Sequence, residues 1–321
     1  MNKTIDSFEE TKTEEISADA PKVSLAEKPK RKRRFGDRYD GYRVKKLDTQ
    51  FWIVPNIMRT RTDSQVFFNE VIGVGELDRY IHKKREGEIP NLRMIHVIIA
   101  ATIRLFAERP RLNRFIAGKK IFAHNNIRLS MSIKRSMTDD GEETEILPVF
   151  EPTDTLYDVV RKFEDALSES IEEATKQNNN TDKVAGALSH IPTWLKSFVV
   201  FAIRNLDKIG LMPKMIYHAS PFHSSVFITD VGSLGIDSIY HHLYEFGTTS
   251  CFIAMGKKQF VPFVRPDGTL GQRKIINFRF VLDERICDGY YYASSFKYMK
   301  MFMHNPSLLE VPPENVVEDL F

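Results

Sequence analysis

The chain has almost no cysteine. Cys251 and Cys287 are the only two in 321 residues. That excludes a disulfide framework and makes a reducing compartment the default. No Cys/His spacing suits a zinc site. There is no Gly-x-Gly-x-x-Gly and no Walker-type loop, which argues against dinucleotide-binding and P-loop folds. No uncharged apolar run reaches the roughly 18 residues of a membrane span. The nearest, residues 194–212, is broken by Lys196, Arg204, Asp207 and Lys208. The first 24 residues are polar and acidic and lack the apolar segment of a signal peptide. Net charge is only +3, so global electrostatics give no case for nucleic acid. These absences predict a cytoplasmic protein with no membrane insertion and no nucleic-acid partner.

What is present can build a core. Apolar residues make up 42% of the chain, including 23 Phe and 11 Tyr, enough for one large domain or two small ones. Residues 1–34 read as a disordered tail, rich in Thr, Glu, Lys and Ser, ending in the basic run Lys28 to Arg34. Such a segment buries too little apolar surface to offset its ordering entropy. A solvated tail is favoured for it over a tether to an acidic surface. Residues 35–310 form the expected domain, and residues 311–321 a loose acidic tail.

Within the domain, Asn91 to Arg109 reads as a buried helix stopped by Pro110. Ile127, Leu129, Met131 and Ile133 alternate with polar residues, as in a strand. A helix opens at Asp154. Lys183 to Leu211 reads as apolar helix around Pro192, either a packing hairpin or a lid beside an apolar channel, with packing favoured. From Ser224 onward strands and tight turns dominate. The pattern predicts an α+β, mixed-sheet sandwich.

One stretch carries chemistry. Ile276, Phe278, Phe280 and Leu282 alternate with Asn277, Arg279 and Asp283, the period of a half-buried strand. The strand ends in Asp283, Glu284 and Arg285, followed by Asp288 and Gly289. Alone, this is a charged turn.

The ordered set of motifs resembles the catalytic domain of the 2-oxo acid dehydrogenase acyltransferases, which share the chloramphenicol acetyltransferase-like fold. Arg109 to Phe115 resembles that family's His-Pro-x-x-Asn segment. Ile127 to Ile133 with Leu147, Pro148 and Val149 resembles its strand pair. Phe227 to Gly235 resembles its Thr-Ile-Ser-Asn-Leu-Gly-x-x-Gly, Phe252 to Gly256 its next apolar strand, and Asp283 to Gly289 its Asp-His-Arg-x-x-Asp-Gly. The resemblance spans residues 40–310. It implies acyl transfer from a coenzyme A thioester to a small acceptor. It further implies a homotrimer with its site between subunits, and no permanently bound cofactor. No lipoyl domain is recognisable.

The resemblance also assigns roles. Glu284 stands where the family has its catalytic histidine, and Thr229 where it has the oxyanion-stabilising hydroxyl. Asp288 would brace the turn against Arg59, Arg61 or Arg285, with Gly289 permitting the turn. Gly232 and Gly235 shape the Thr229 loop. A glutamate near 4.3 is a weaker base than a histidine near 6.5 for a thiol near 8.5, unless burial raises it. Two readings follow: an enzyme with a carboxylate base, or a catalytically silent relative that binds acyl-CoA or a partner. His223, His241 and His242 are candidates for a substitute base. Cys287 reads as a buried, inert thiol rather than an acylated one.

Overall fold

A computed structural model describes residues 22–23, 32–134, 143–175 and 192–319. In chain order, β1 (Lys22–Val23) and β2 (Gly41–Arg43) precede α1 (Thr49–Ile57), β3 (Gln65–Gly73), α2 (Gly75–Arg85) and α3 (Met94–Glu108). Next come β4 (Arg114–Ala117), β5 (Lys120–His124), β6 (Ile127–Lys134), β7 (Glu143–Ile146), β8 (Val149–Phe150) and α4 (Leu156–Thr175). The last third holds α5 (Thr193–Lys208), α6 (Lys214–Ala219), β9 (Val226–Asp230), β10 (Cys251–Val264), β11 (Leu270–Asp283), α7 (Gly289–His304) and β12 (Val316–Val317).

The central sheet runs β3-β11-β10-β9-β6-β7, with β8 also on β6. It is mixed. β9 is parallel to both β10 and β6, and the other pairs are antiparallel. A smaller sheet, β2-β5-β4, stands apart. The expected α+β mixed-sheet architecture is what the chain adopts.

β11 owes its position to its alternation. Ile276, Phe278, Phe280 and Leu282 point into the main core, where Phe280 packs on Phe296 of α7 at 4.7 Å between ring centroids. Val281 points to the opposite face, with Phe227, Phe252 and Leu243. Every residue of α3 except Glu108 is buried, against α4 and α7. Burying a Leu, Ile or Phe contributes about 1.5–3 kcal/mol, so α3 and the sheet face it covers form the stable base of the fold.

Described residues of both tails make contacts. Lys22–Val23 pairs antiparallel with Val316–Val317; the other residues before Lys32, most of the basic run included, lie outside the described set. The C-terminal segment is anchored, not loose. Arg114 donates to both carboxylate oxygens of Asp319, and both residues are buried. Arg104 donates to the carbonyls of Leu308 and Val311. Buried cations demand partners, and the last residues supply them.

Candidate active site

The turn after β11 is built around Asp283, which is fully buried. Its Oδ1 accepts from Ser64 Oγ at 3.0 Å, Arg285 Nε at 2.8 Å and the Arg285 backbone N–H at 3.1 Å. Its Oδ2 accepts from Arg285 Nη2 at 2.7 Å. Tyr292 of α7 donates its hydroxyl to the Asp283 carbonyl at 2.8 Å. Arg285 also donates to the Met58 carbonyl at 3.1 Å. A bidentate, buried pair of this kind fixes geometry as well as charge. The segment before β3 adds a second clamp, because Glu284 donates its backbone N–H to the Ser64 carbonyl at 2.9 Å.

Arg61 lies behind this turn with 3% of its surface exposed. It donates to the carbonyls of Glu245 at 3.0 Å and Gly247 at 2.8 Å. Burial pushes its guanidinium below the usual arginine range, while Asp283 and Glu245 pull it back.

An exposed carboxylate stands on this braced backbone. Glu284 projects into solvent, and its carboxylate has no hydrogen bond or ion pair with the described residues. Among the described residues nothing covers it.

Asp288 does not pair with an arginine. It is the N-cap of α7, accepting from the Tyr291 N–H at 2.8 Å. The arginine pairing expected of Asp288 falls to Asp283. Gly289 is not a turn glycine either. It is the first residue of α7, its φ is not left-handed, and a Cβ there would meet nothing within 4 Å.

Thr229 stands half-buried on β9, its hydroxyl without a hydrogen-bond partner among the described residues. The loop after it is held as its glycines require. A Cβ on Gly232 would lie 2.5 Å from the Gly256 carbonyl oxygen, closer than packing allows. Gly235 closes the loop with φ at +77°, a conformation that favours glycine. Asp230 accepts from the Ser233 N–H at 3.1 Å and fixes the turn between them.

One chain does not bring Thr229 and Glu284 together. Thr229 is level with Ala254, and Ala254 with Arg279. Glu284 is five residues beyond Arg279, roughly 16 Å farther along the strand direction, and two strands across.

The histidines do not replace Glu284. His223 is fully buried, with Nδ1 2.7 Å from Ser220 Oγ. Its Nε2 is 3.3 Å from Asp207 Oδ2, without hydrogen-bond geometry. His241 and His242 stack on one another, and His241 lies flat on Phe252 at 4.2 Å. Cys287 is fully buried, and burial pushes its thiol up to about 12, so it is inert as a nucleophile.

Sequence reasoning missed Ser64 and Glu245, supports of the turn, and offered Arg61 to Asp288 rather than to the Glu245 and Gly247 carbonyls. Their partners lie up to 219 positions away, and no local pattern marks them.

Residues 222–311, which contain both the Thr229 loop and the Glu284 turn, match the 2-oxoacid dehydrogenases acyltransferase (catalytic domain) family. The described structure aligns with a probable dihydrolipoamide acetyltransferase from Listeria monocytogenes at 15% identity and TM-score 0.51, covering 81% of this chain and 93% of that one. The fold is that of the 2-oxoacid dehydrogenase acyltransferases. The cubic core of the pyruvate dehydrogenase multienzyme complex aligns with the same fold at 12% identity and TM-score 0.52, covering 83% of this chain and 93% of that one. So does the Azotobacter vinelandii dihydrolipoamide acetyltransferase, at 13% identity and TM-score 0.51, with the same two coverages of 83% and 93%. In that enzyme a serine, a histidine and an asparagine have been investigated for their role in the catalytic mechanism. No curated protein matches the chain. No helix among the described residues is long and apolar enough to cross a membrane.

Proposed function

We propose that the protein is an acyltransferase that moves an acyl group from a coenzyme A thioester to a small acceptor. Its site is completed between copies, Thr229 from one and Glu284 from the next, in a homotrimer. The observation that carries this is the separation of the two residues within one chain, each with an unpartnered side chain on a braced backbone. The Azotobacter enzyme supports the assignment: its histidine and asparagine are four residues apart, the spacing of Glu284 and Asp288.

In this reading the acceptor's thiol, hydroxyl or amine gives its proton to the Glu284 carboxylate as its heteroatom attacks the thioester carbonyl. The Thr229 hydroxyl donates to the oxyanion. Collapse breaks the carbon–sulfur bond, and the proton on Glu284 goes to the leaving coenzyme A sulfur. Contact between copies removes water from Glu284 and strengthens it as a base. Asp288 touches no reacting atom in this scheme. By capping α7 it holds the turn from which Glu284 projects. No permanently bound cofactor and no lipoyl domain are needed.

A second reading has one observation in its favour. No described side chain orients the Glu284 carboxylate, as a base normally requires. On that reading the protein is a silent relative that binds acyl-CoA or a partner. The experiment that separates them is coenzyme A release from acyl-CoA with thiol, amine and alcohol acceptors, with Glu284→Gln as control. Turnover lost in Glu284→Gln and in Thr229→Val supports the enzyme. No turnover above the Glu284→Gln background, with assembly and acyl-CoA binding intact, overturns it. Activity appearing only in Glu284→His would mark a degraded site.

A further inference from the structure

A cavity of about 510 Å³ opens beside the Asp283–Arg285 turn. Its walls include Arg59 and Arg61 before β3, Lys119 at the β4–β5 tip, Arg204 and Lys208 at the end of α5, and Glu245. Three distant parts of the chain therefore deliver cations to one space. They are packed together, since the Lys208 carbonyl lies 3.0 Å from where a Cβ on Gly118 would sit.

These charges are not balanced among the described residues. Arg285 and Asp207 also line the cavity, but Arg285 is paired with Asp283 and Asp207 with Arg38. Glu245 uses one carboxylate oxygen on the Arg61 backbone N–H at 2.7 Å. The side chains of Arg59, Lys119, Arg204 and Lys208 make no ion pair or hydrogen bond with the described residues. Like charges gathered around one cavity repel, and nothing in the packing requires them there.

Two further observations single out this wall. Lys119 has φ at +62°, the only non-glycine residue with left-handed φ among the described residues. It follows Gly118, whose φ is +53°, in a two-residue hairpin turn whose second position normally holds glycine. A long, charged side chain occupies a strained position. Arg61, almost wholly buried, has its Nε unpartnered, although a buried donor without a partner is costly.

We propose that this cavity binds a small polyanion, a ligand carrying phosphate or carboxylate groups, through Arg59, Lys119, Arg204 and Lys208 over the Arg61 guanidinium. Because Arg285 lines the cavity next to Glu284, the bound group is a handle for an anionic acyl acceptor. That last step rests on the acyltransferase reading; the anion site itself does not.

The test is calorimetric titration of the full chain with inorganic pyrophosphate and with citrate, at low and at moderate salt. Saturable binding of either anion, one per chain and weakening with salt, is expected; the tighter of the two identifies the phosphate or the carboxylate class. Arg204→Gln combined with Lys208→Gln should weaken it at least tenfold. Lys119→Gly should also weaken it while raising the melting temperature, because it removes charge and relieves φ together. No binding of either anion, or unchanged binding in both variants, overturns the proposal. So does a shifted assembly mass in the double variant with no anion binding, which would make the cavity a contact between copies. Coenzyme A release with mercaptosuccinate against cysteamine as acceptor separates the two claims. Anion binding without turnover counts against the acyltransferase reading alone, and turnover without anion binding counts against this site alone.

Discussion

Helices α3 and α5 have nearly the same length, 15 and 16 residues, and both are rich in apolar side chains. Their burial is opposite. In α3 only Glu108 escapes the core, and even His96, Thr102 and Arg104 are buried. In α5 the only buried residue is an aspartate, Asp207, while Trp194, Phe198 and Phe201 are 71%, 62% and 65% exposed. Apolar composition states that a helix lowers its free energy by being covered. It does not state by what. α3 is covered by its own chain, so its contribution is to stability. Among the described residues of α5 the buried one is Asp207, near its C-terminal end, and residues 183–191 of the stretch expected to pack lie outside the described set.

The largest break in the comparison should come from that aspartate. Asp207 Oδ1 takes the Arg38 guanidinium at 2.7 Å, and its carbonyl accepts from the same side chain. Replacing it with Ala should cost about 3–5 kcal/mol in urea denaturation, because Arg38 stays buried with one partner fewer. The pH dependence follows. Burial opposes the Asp207 charge, but His223 and Arg38 outweigh it and hold the carboxyl down at about 2. A depressed carboxyl contributes stability that is fully present above the unfolded value near 3.9 and lost as pH falls toward about 2. Acid titrations should show that loss in the native protein and not in Asp207→Asn.

In α3, Ile98→Ala should cost about 2–5 kcal/mol by opening a cavity in a fully buried site. At the head of α7, Asp288→Ala should cost about 1 kcal/mol, the worth of a cap. A turn-bracing ion pair would cost several times more, so thermal melts distinguish the two roles. Smallest of all, Phe201→Ala in α5 should change the melting free energy by no more than about 0.5 kcal/mol. A larger loss that depends on protein concentration would mean that copies cover this face.

The central strand was legible because its information is local. The alternation of Ile276, Phe278, Phe280 and Leu282 is a period of two, and the core lies where that period points. The Thr229 loop was legible for a related reason, since Gly232 and Gly235 mark a backbone with no room for a Cβ at the first and a left-handed φ at the second. The parallel pairing of β9 with β6 and β10 was not legible. Leu129 meets Val226 across the chain, and a strand's sequence does not name its neighbour. Asp288 shows a different failure. An aspartate just before a helix is a cap signal, but beside Asp283 and Arg285 it reads as one more turn charge. Only the Ser64 and Arg285 contacts assign the ion pair to Asp283.

The clasp between Arg114 and Asp319 has a consequence for how the protein is made. The guanidinium belongs to the first half of the chain and is buried, yet its carboxylate is 205 positions later. A ribosome must add that many residues after Arg114 before the cation can be neutralised. Until then the interior around β4 holds an unmatched charge, so completion of this part of the domain waits for the segment that carries Asp319. A message stopped just before Asp319 would keep every residue of the main core. The cell would still receive a product with an open lesion beside β4, the kind of defect that quality control detects.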